Sequence, residues 1–221
     1  FTYTWSTGAI GNDVDEIESG SYSVTAEDGN GCQLTELYDL GSQVTPVEIC
    51  LITVDTTSSK NVIVWEKEIT GNIDGYNVYR NVLGAYQNIG FVPYADLSEF
   101  TDNSFGVDPN ITSYRYKISK VDTCGNESEL SSFHETMHLT TNLGTNDNIN
   151  LIWDEYEGFG FVSYRILKDT TDNNINDYFE IDAVGSGVFT WTDQDPESFV
   201  NYTVVVDPSG TCSSTKANDY N

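Results

Sequence analysis

Val62-Ile63-Val64-Trp65 and Asn150-Leu151-Ile152-Trp153 decide the fold of this 221-residue chain; their tryptophans lie 88 residues apart. Each is a short apolar run closing on a tryptophan, a composition that suits a buried strand better than a helix. The same spacing of 88 relates Tyr76 to Tyr164, Tyr114 to Tyr202 and Cys124 to Cys212. Around these anchors, Tyr76-Asn77-Val78-Tyr79 matches Tyr164-Arg165-Ile166-Leu167, and Thr101-Asp102 matches Thr192-Asp193 at a spacing of 91, so small insertions cancel. Four aromatic or cysteine anchors at one spacing mean two tandem copies of one fold.

Working outward, strand signatures continue almost everywhere. Ser21-Tyr22-Ser23-Val24-Thr25-Ala26 alternates small polar with apolar residues between Gly20 and Asp28-Gly29-Asn30-Gly31. Tyr114-Arg115-Tyr116-Lys117-Ile118 and Tyr202-Thr203-Val204-Val205-Val206 are rich in aromatic and β-branched residues. Turn signals recur every ten or so residues, at Gly71-Asn72, Asp74-Gly75, Asp108-Pro109-Asn110 and Asp207-Pro208-Ser209-Gly210. No amphipathic helix stands out; Asp96–Phe100 suits one short turn. The expected fold class is all-β, tandem antiparallel β-sandwiches preceded by a partial β-repeat.

Composition removes several functions. The formal charge is −26, and the first cation is Lys60. A polyphosphate attracts proteins through Lys and Arg that release counterions, so nucleic acid is not an expected partner, nor is bare anionic lipid. No 18-residue apolar run exists, so no membrane-spanning helix is expected. Aromatics at 13 % in alternating patterns exclude a solvated acidic tail. The acidic surface keeps the chain soluble and self-repelling. Calcium is the one ion its clusters would suit, at Asp13, Asp15, Glu16 and Glu18, then at Asp193, Asp195 and Glu197, although neither cluster has an EF-hand spacing. No resident cofactor is expected.

Cys32, Cys50, Cys124 and Cys212 include no Cys-x-x-Cys pair, which removes a zinc ribbon or thioredoxin-like site and favours disulfides in an oxidising space. His134 and His138, the only histidines, are placed on the exposed face of an edge strand. No nucleophile elbow, zinc-helix motif or phosphate loop occurs, and nothing singles out two of the 35 acids as a catalytic pair. The chain is not expected to be an enzyme.

An early Trp, a Tyr eleven residues on and a later Tyr ahead of a late loop resemble the fibronectin type III domain over about residues 48–221. The resemblance implies sandwiches at 48–135 and 136–221, with Trp65, Trp153, Tyr114 and Tyr202 packed between sheets rather than offered to a ligand. In such a sandwich the chain enters at the end holding the last hairpin loop, which implies a Cys50–Cys124 disulfide. Cys212 then has no counterpart and is expected free or externally paired.

Residues 1–47 differ. Tyr3-Thr4-Trp5-Ser6-Thr7-Gly8, then Gly20-Ser21-Tyr22-Ser23-Val24-Thr25, then Asp28-Gly29-Asn30-Gly31-Cys32 resemble the repeats of giant gliding-motility adhesins of Bacteroidetes, departing from them at Ala26 and Glu27. The opening strands of that repeat are missing, as in a truncated copy, which would also have removed a partner for Cys32. Ile49–Asp55, Asn61–Glu66 and Val121–Ser128 look like a module of large flavobacterial proteins that precedes a sorting domain of the type IX secretion system. The resemblance implies export to the cell surface. It also implies O-glycosylation at Thr56 in Asp55-Thr56-Thr57 and at Thr170 in Asp169-Thr170-Thr171. The expected function is a non-catalytic stalk and adhesion segment of a large secreted or cell-surface protein. Its partners would be an extracellular surface or polysaccharide, other copies or domains of the same assembly, and the secretion machinery. The alternative is a glycan- or protein-binding module of a polysaccharide-processing protein, using Tyr86, Tyr94, Phe105 or Tyr178.

Overall fold

The computed structural model describes residues 1–15, 17, 20–40, 44–55, 59–68, 72–171, 177–198 and 200–207. Strands β1 (Thr2–Trp5), β2 (Gly20–Glu27) and β3 (Gln33–Leu40) form an antiparallel sheet in that order. None of the described residues 1–40 is buried. The β2–β3 hairpin turns on Asp28, whose carboxylate accepts the amides of Asn30 and Cys32, while Gly31 takes a positive φ of 82°. Those bonds, the one from Cys32 foremost, hold the Asp28 carboxyl below its ordinary pKa.

The next seven strands build one sandwich. They are β4 (Ile49–Val54), β5 (Asn61–Trp65), β6 (Ile73–Val82), β7 (Ala85–Pro93), β8 (Glu99–Thr101), β9 (Arg115–Asp122) and β10 (His134–Glu135). One sheet runs β4-β5-β8 and the other β10-β9-β6-β7. Alternation puts Ile63 and Trp65 on the same face of β5, Tyr76 and Val78 on β6, and Tyr116 and Ile118 on β9. All six are fully enclosed between the sheets, with Ile49, Ile52 and Val92 around them. Trp65 meets Tyr76 at 5.2 Å between ring centroids, a tilted pair.

A second sandwich follows from β11 (Leu139–Leu143), a 3-10 turn at Thr145–Asp147, β12 (Ile149–Trp153), β13 (Ser163–Asp169), β14 (Phe179–Gly185), β15 (Thr190–Asp193) and β16 (Asn201–Val205). Its sheets run β11-β12-β15 and β14-β13-β16. Leu151, Trp153, Tyr164, Ile166 and Val204 fill the space between them, and Trp153 crosses Tyr164 edge to face at 5.5 Å. The chain is therefore all-β, with tandem antiparallel sandwiches of fibronectin type III or immunoglobulin-like form after a smaller β-sheet.

Two features differ from the sequence reading. Asp74-Gly75 is no turn: it lies inside β6, at a register shift between Ile73 and Gly75. A Cβ on Gly75 would stand 2.4 Å from the Phe91 ring and 2.5 Å from the Val92 carbonyl, so close strand packing requires this glycine. The repeat also has a different register in its last strand. Arg80 pairs with Tyr116 across β6–β9, and Lys168 with Tyr202 across β13–β16, so the counterpart of Tyr202 is Tyr116 rather than Tyr114.

Candidate functional site

The buried polar groups of both sandwiches form the same device. In the first, Arg80 on β6 donates to Asp102 at 2.5 Å, Tyr116 Oη donates to the same carboxylate at 2.9 Å, and Asn61 Nδ2 donates to Tyr116 Oη at 2.9 Å. Asp102 is wholly buried. Burial alone would raise its pKa, but hydrogen bonds from Ser104, Arg80 and Tyr116 outweigh it and hold the carboxyl below the ordinary value. Burial, then the adjacent Asp102 charge, pushes the Tyr116 phenol up. In the second sandwich Lys168 on β13 donates to Asp193 at 2.7 Å, and Tyr202 donates to Asp193 at 2.6 Å. Glu197 also closes on Lys168. Both triads stitch the central strand of one sheet to the edge of the other. In each, an ionised carboxylate is paired with a cation and accepts from a neutral phenol, which is a structural arrangement rather than a poised acid–base pair.

This explains the second acidic cluster. Asp193 and Glu197 do converge on a cation, but the cation is the ammonium of Lys168. In the first cluster Asp13 and Asp15 are exposed, while Glu16 and Glu18 lie outside the described residues. Among the described residues no three His, Cys, Asp or Glu side chains gather as a metal site needs.

The expected Cys50–Cys124 disulfide is not made, because Cys124 is free and exposed. The register gives the reason. Thr45 Oγ1 meets Lys120 Nζ, and Glu48 accepts the Ser132 amide, so the chain has already passed the hairpin end before it reaches Cys50. Cys124 sits beyond Asp122 at the hairpin tip, where Asp122 accepts the amides of Cys124 and Asn126. Cys50, half-buried beside the β4 bulge, is not free, but its partner is not Cys124. Cys32 is also free and exposed, in the Asp28 turn, at the position that Asn126 holds in the Asp122 turn. Cys212 lies outside the described residues. Native protein is accordingly expected to take up maleimide at both Cys32 and Cys124, and Cys124→Ser is expected to change stability by less than about 0.5 kcal/mol, as for other isolated surface changes. Peptide mapping and a urea titration check this; a protected Cys124 thiol would contradict it.

Thr170 is half-buried directly after β13, and Asp169 accepts hydrogen bonds from the Thr171 amide and hydroxyl at 2.8 and 2.6 Å. Thr56 lies outside the described residues. The tryptophans stand in the cores as expected, Trp65 at 0 % and Trp153 at 3 % exposure. Tyr114 and Tyr202 are half-buried against them. Of the aromatics considered for binding, Phe105 is fully exposed, and Tyr94 packs on the core and donates to the Glu68 carbonyl. Tyr178 is half-buried, its phenol pushed up by burial and then by the Asp169 charge. Tyr86 lies under the Lys117 ammonium, 5.1 Å from the ring centroid.

That contact belongs to the outer face of the β10-β9-β6-β7 sheet. Glu127 there accepts from Asn77 at 2.9 Å, from Tyr79 at 2.5 Å and from Ser119, and Arg115 stacks over Phe133 at 4.7 Å. The groups satisfy one another across a flat surface. An open depression of about 400 Å³ at the end of β7, between Phe91, Pro93, Asp96, Leu97 and Glu99, has only carboxylates as titratable lining.

His134 corrects the sequence reading. It lies on edge strand β10 but is 3 % exposed, and burial lowers its pKa to about 4. Its Nδ1 lies 2.9 Å from the Tyr156 hydroxyl, and Phe159 packs edge-on at 6.0 Å. Neither Tyr156 nor Phe159 stood out in the sequence. The clustering of Tyr156, Phe159, Phe161 and Tyr164 within nine residues was the available signal.

No protein-family model matches the chain, and no curated protein matches it. Among solved structures it is similar to the chicken CNTN1 FN1-FN3 domains, with 11 % identity over 98 % of this chain and 90 % of that one and a TM-score of 0.34. It is similar to a two fibronectin type-III domain segment from chicken tenascin, with 12 % identity over 77 % of this chain and 98 % of that one and a TM-score of 0.32. The central fibronectin-III array of RIM-binding protein shares 16 % identity over 80 % of this chain and 63 % of that one, with a TM-score of 0.34.

Proposed function

We propose that this chain is a non-catalytic spacer of a secreted or cell-surface protein, bearing mechanical load between its two ends. One observation carries the reading. Thr45 is tied to Lys120 near the end of β9, and Glu135 to Arg115 at its start, so the chain enters and leaves the first sandwich at opposite ends. Sandwiches threaded in this way add their lengths in series, and a pull loads the strands of each sheet together.

The finer reading draws its support from sequence. Residues 1–47 read as an adhesin-type repeat, and 48–135 and 136–221 as the two spacer units. The resemblance to Bacteroidetes gliding-motility adhesins and to modules preceding type IX secretion sorting domains supports export, a place on the cell surface and a part in attachment. Its partners would be an extracellular polysaccharide or surface and neighbouring domains of the same assembly. Glycans at Thr56 and Thr170 fit that setting.

Pulling the chain end to end tests the spacer reading. With reductant present to open the bond at Cys50, each sandwich is expected to give a distinct force peak and to release about 30 nm of contour, the extended length of some 90 residues. Extension along a purely entropic curve without peaks would sink it.

A further inference from the structure

The end face of the first sandwich and one loop of the second fit each other as surface and partner. The loop spans residues 154–161. Its Tyr156 hydroxyl lies 2.9 Å from His134 Nδ1 on β10. β10 is an edge strand of its sheet, so the loop covers an edge of the first sandwich that would otherwise face water. A neutral imidazole nitrogen accepts, so the phenol can donate to it. Beside it, the Glu135 amide donates to the Glu157 carbonyl at 2.7 Å in an antiparallel bridge, and Arg115 spans Glu135 and Glu157 at 2.6 and 3.1 Å.

Two more observations remove slack. Only Thr136, Met137 and His138 separate β10 from β11. Thr136 exchanges two hydrogen bonds with Tyr114, and His138 Nε2 meets the Asn110 carbonyl at 2.9 Å. Gly158 has φ 152° and lies flat against the imidazole, where a Cβ would stand 2.4 Å from the ring. Bare backbone is the only thing that fits there. Behind it Phe159 and Phe161 continue the contact into the second core, Tyr156 to Phe159 at 4.6 Å and Phe161 to Tyr164 at 4.8 Å.

We infer that the two sandwiches are locked into one stiff body, with the 154–161 loop seated as an aromatic plug on the end face made by Arg115, His134 and Glu135. Sandwiches joined by a small polar contact move relative to each other by default. Here a buried aromatic contact, a backbone bridge and a three-residue connection act at the same joint. The spacer therefore behaves as a rod across this joint rather than as beads on a hinge.

Residual dipolar couplings on the full chain, weakly aligned near neutral pH, test this. Couplings from β4–β10 and from β11–β16 are expected to fit one common alignment tensor. Separate tensors for the two sandwiches would overturn the inference. Gly158→Val, which drives a side chain into the His134 ring, is expected to abolish the common tensor while each sandwich keeps its own internal couplings. If that variant does not fold, Tyr156→Phe keeps the ring, removes only the hydroxyl that meets His134 and is read in the same way. A common tensor retained in a folded variant would overturn the role given to the plug.

Discussion

Asp102→Ala is expected to destabilise the first sandwich by about 3–5 kcal/mol, the range for breaking a buried charge pair from one side. The loss is large because three groups are stranded together. The Arg80 guanidinium keeps its charge with no carboxylate beside it, the Tyr116 hydroxyl loses its acceptor, and the Ser104 amide loses its own. The matching Asp193→Ala change in the second sandwich is expected to cost less, because Glu197 remains on Lys168. Urea denaturation of the two variants reads both numbers. Equal losses, or a loss below about 1 kcal/mol for Asp102→Ala, would show that the triad does not hold the sheets together as described.

Trp65→Ala is expected to cost a similar amount, about 3–5 kcal/mol, for a different reason. The indole is fully enclosed and packs on Tyr76, so its removal leaves a cavity between sheets that cannot close without bending both. Trp65→Phe is expected to cost distinctly less. It keeps an aromatic surface on Tyr76, and the indole N–H has no hydrogen-bond partner among the described residues, so no polar contact is lost with it. Far-UV circular dichroism in urea reads both variants without relying on the removed fluorophore. A Trp65→Ala chain as stable as the parent would mean that the ring is not core packing.

What the sequence displayed and what it hid divide along physical lines. Core positions were legible because burial forces a period of two, as in Ile63 with Trp65 and Tyr76 with Val78. The tandem organisation of the strands was legible because both cores use the same residues at the same spacing. Register was harder to read. Tyr114-Arg115-Tyr116 offers two tyrosines on the same face, and the choice of Tyr116 as the partner of Asp102 depends on strand pairing across many residues. Asp74-Gly75 read as a turn because that pair favours turns, whereas here the glycine is demanded by the Phe91 ring from a neighbouring strand. The disulfide reading failed on distance along the chain: it placed two cysteines at one end of a sandwich without counting how far the chain advances from Thr45, beside Lys120, before it reaches Cys50. His134 read as exposed because its own strand is an edge, and the residues that cover it arrive from a loop more than twenty positions later. Non-local contacts of this kind leave no periodic trace.

The inward-facing cations have a consequence for how these chains crowd. Lys67, Lys120 and Lys168 are buried, and Arg80 is held against Asp102. Four of the nine basic residues are thus withdrawn from an exterior on which carboxylates predominate. A dense layer of such molecules would hold its neutralising ions as a trapped osmotic cloud, swelling in dilute medium and contracting where brine shortens the reach of each charge. Spacing between neighbours would then follow the surrounding electrolyte, with no contact between proteins needed to set it.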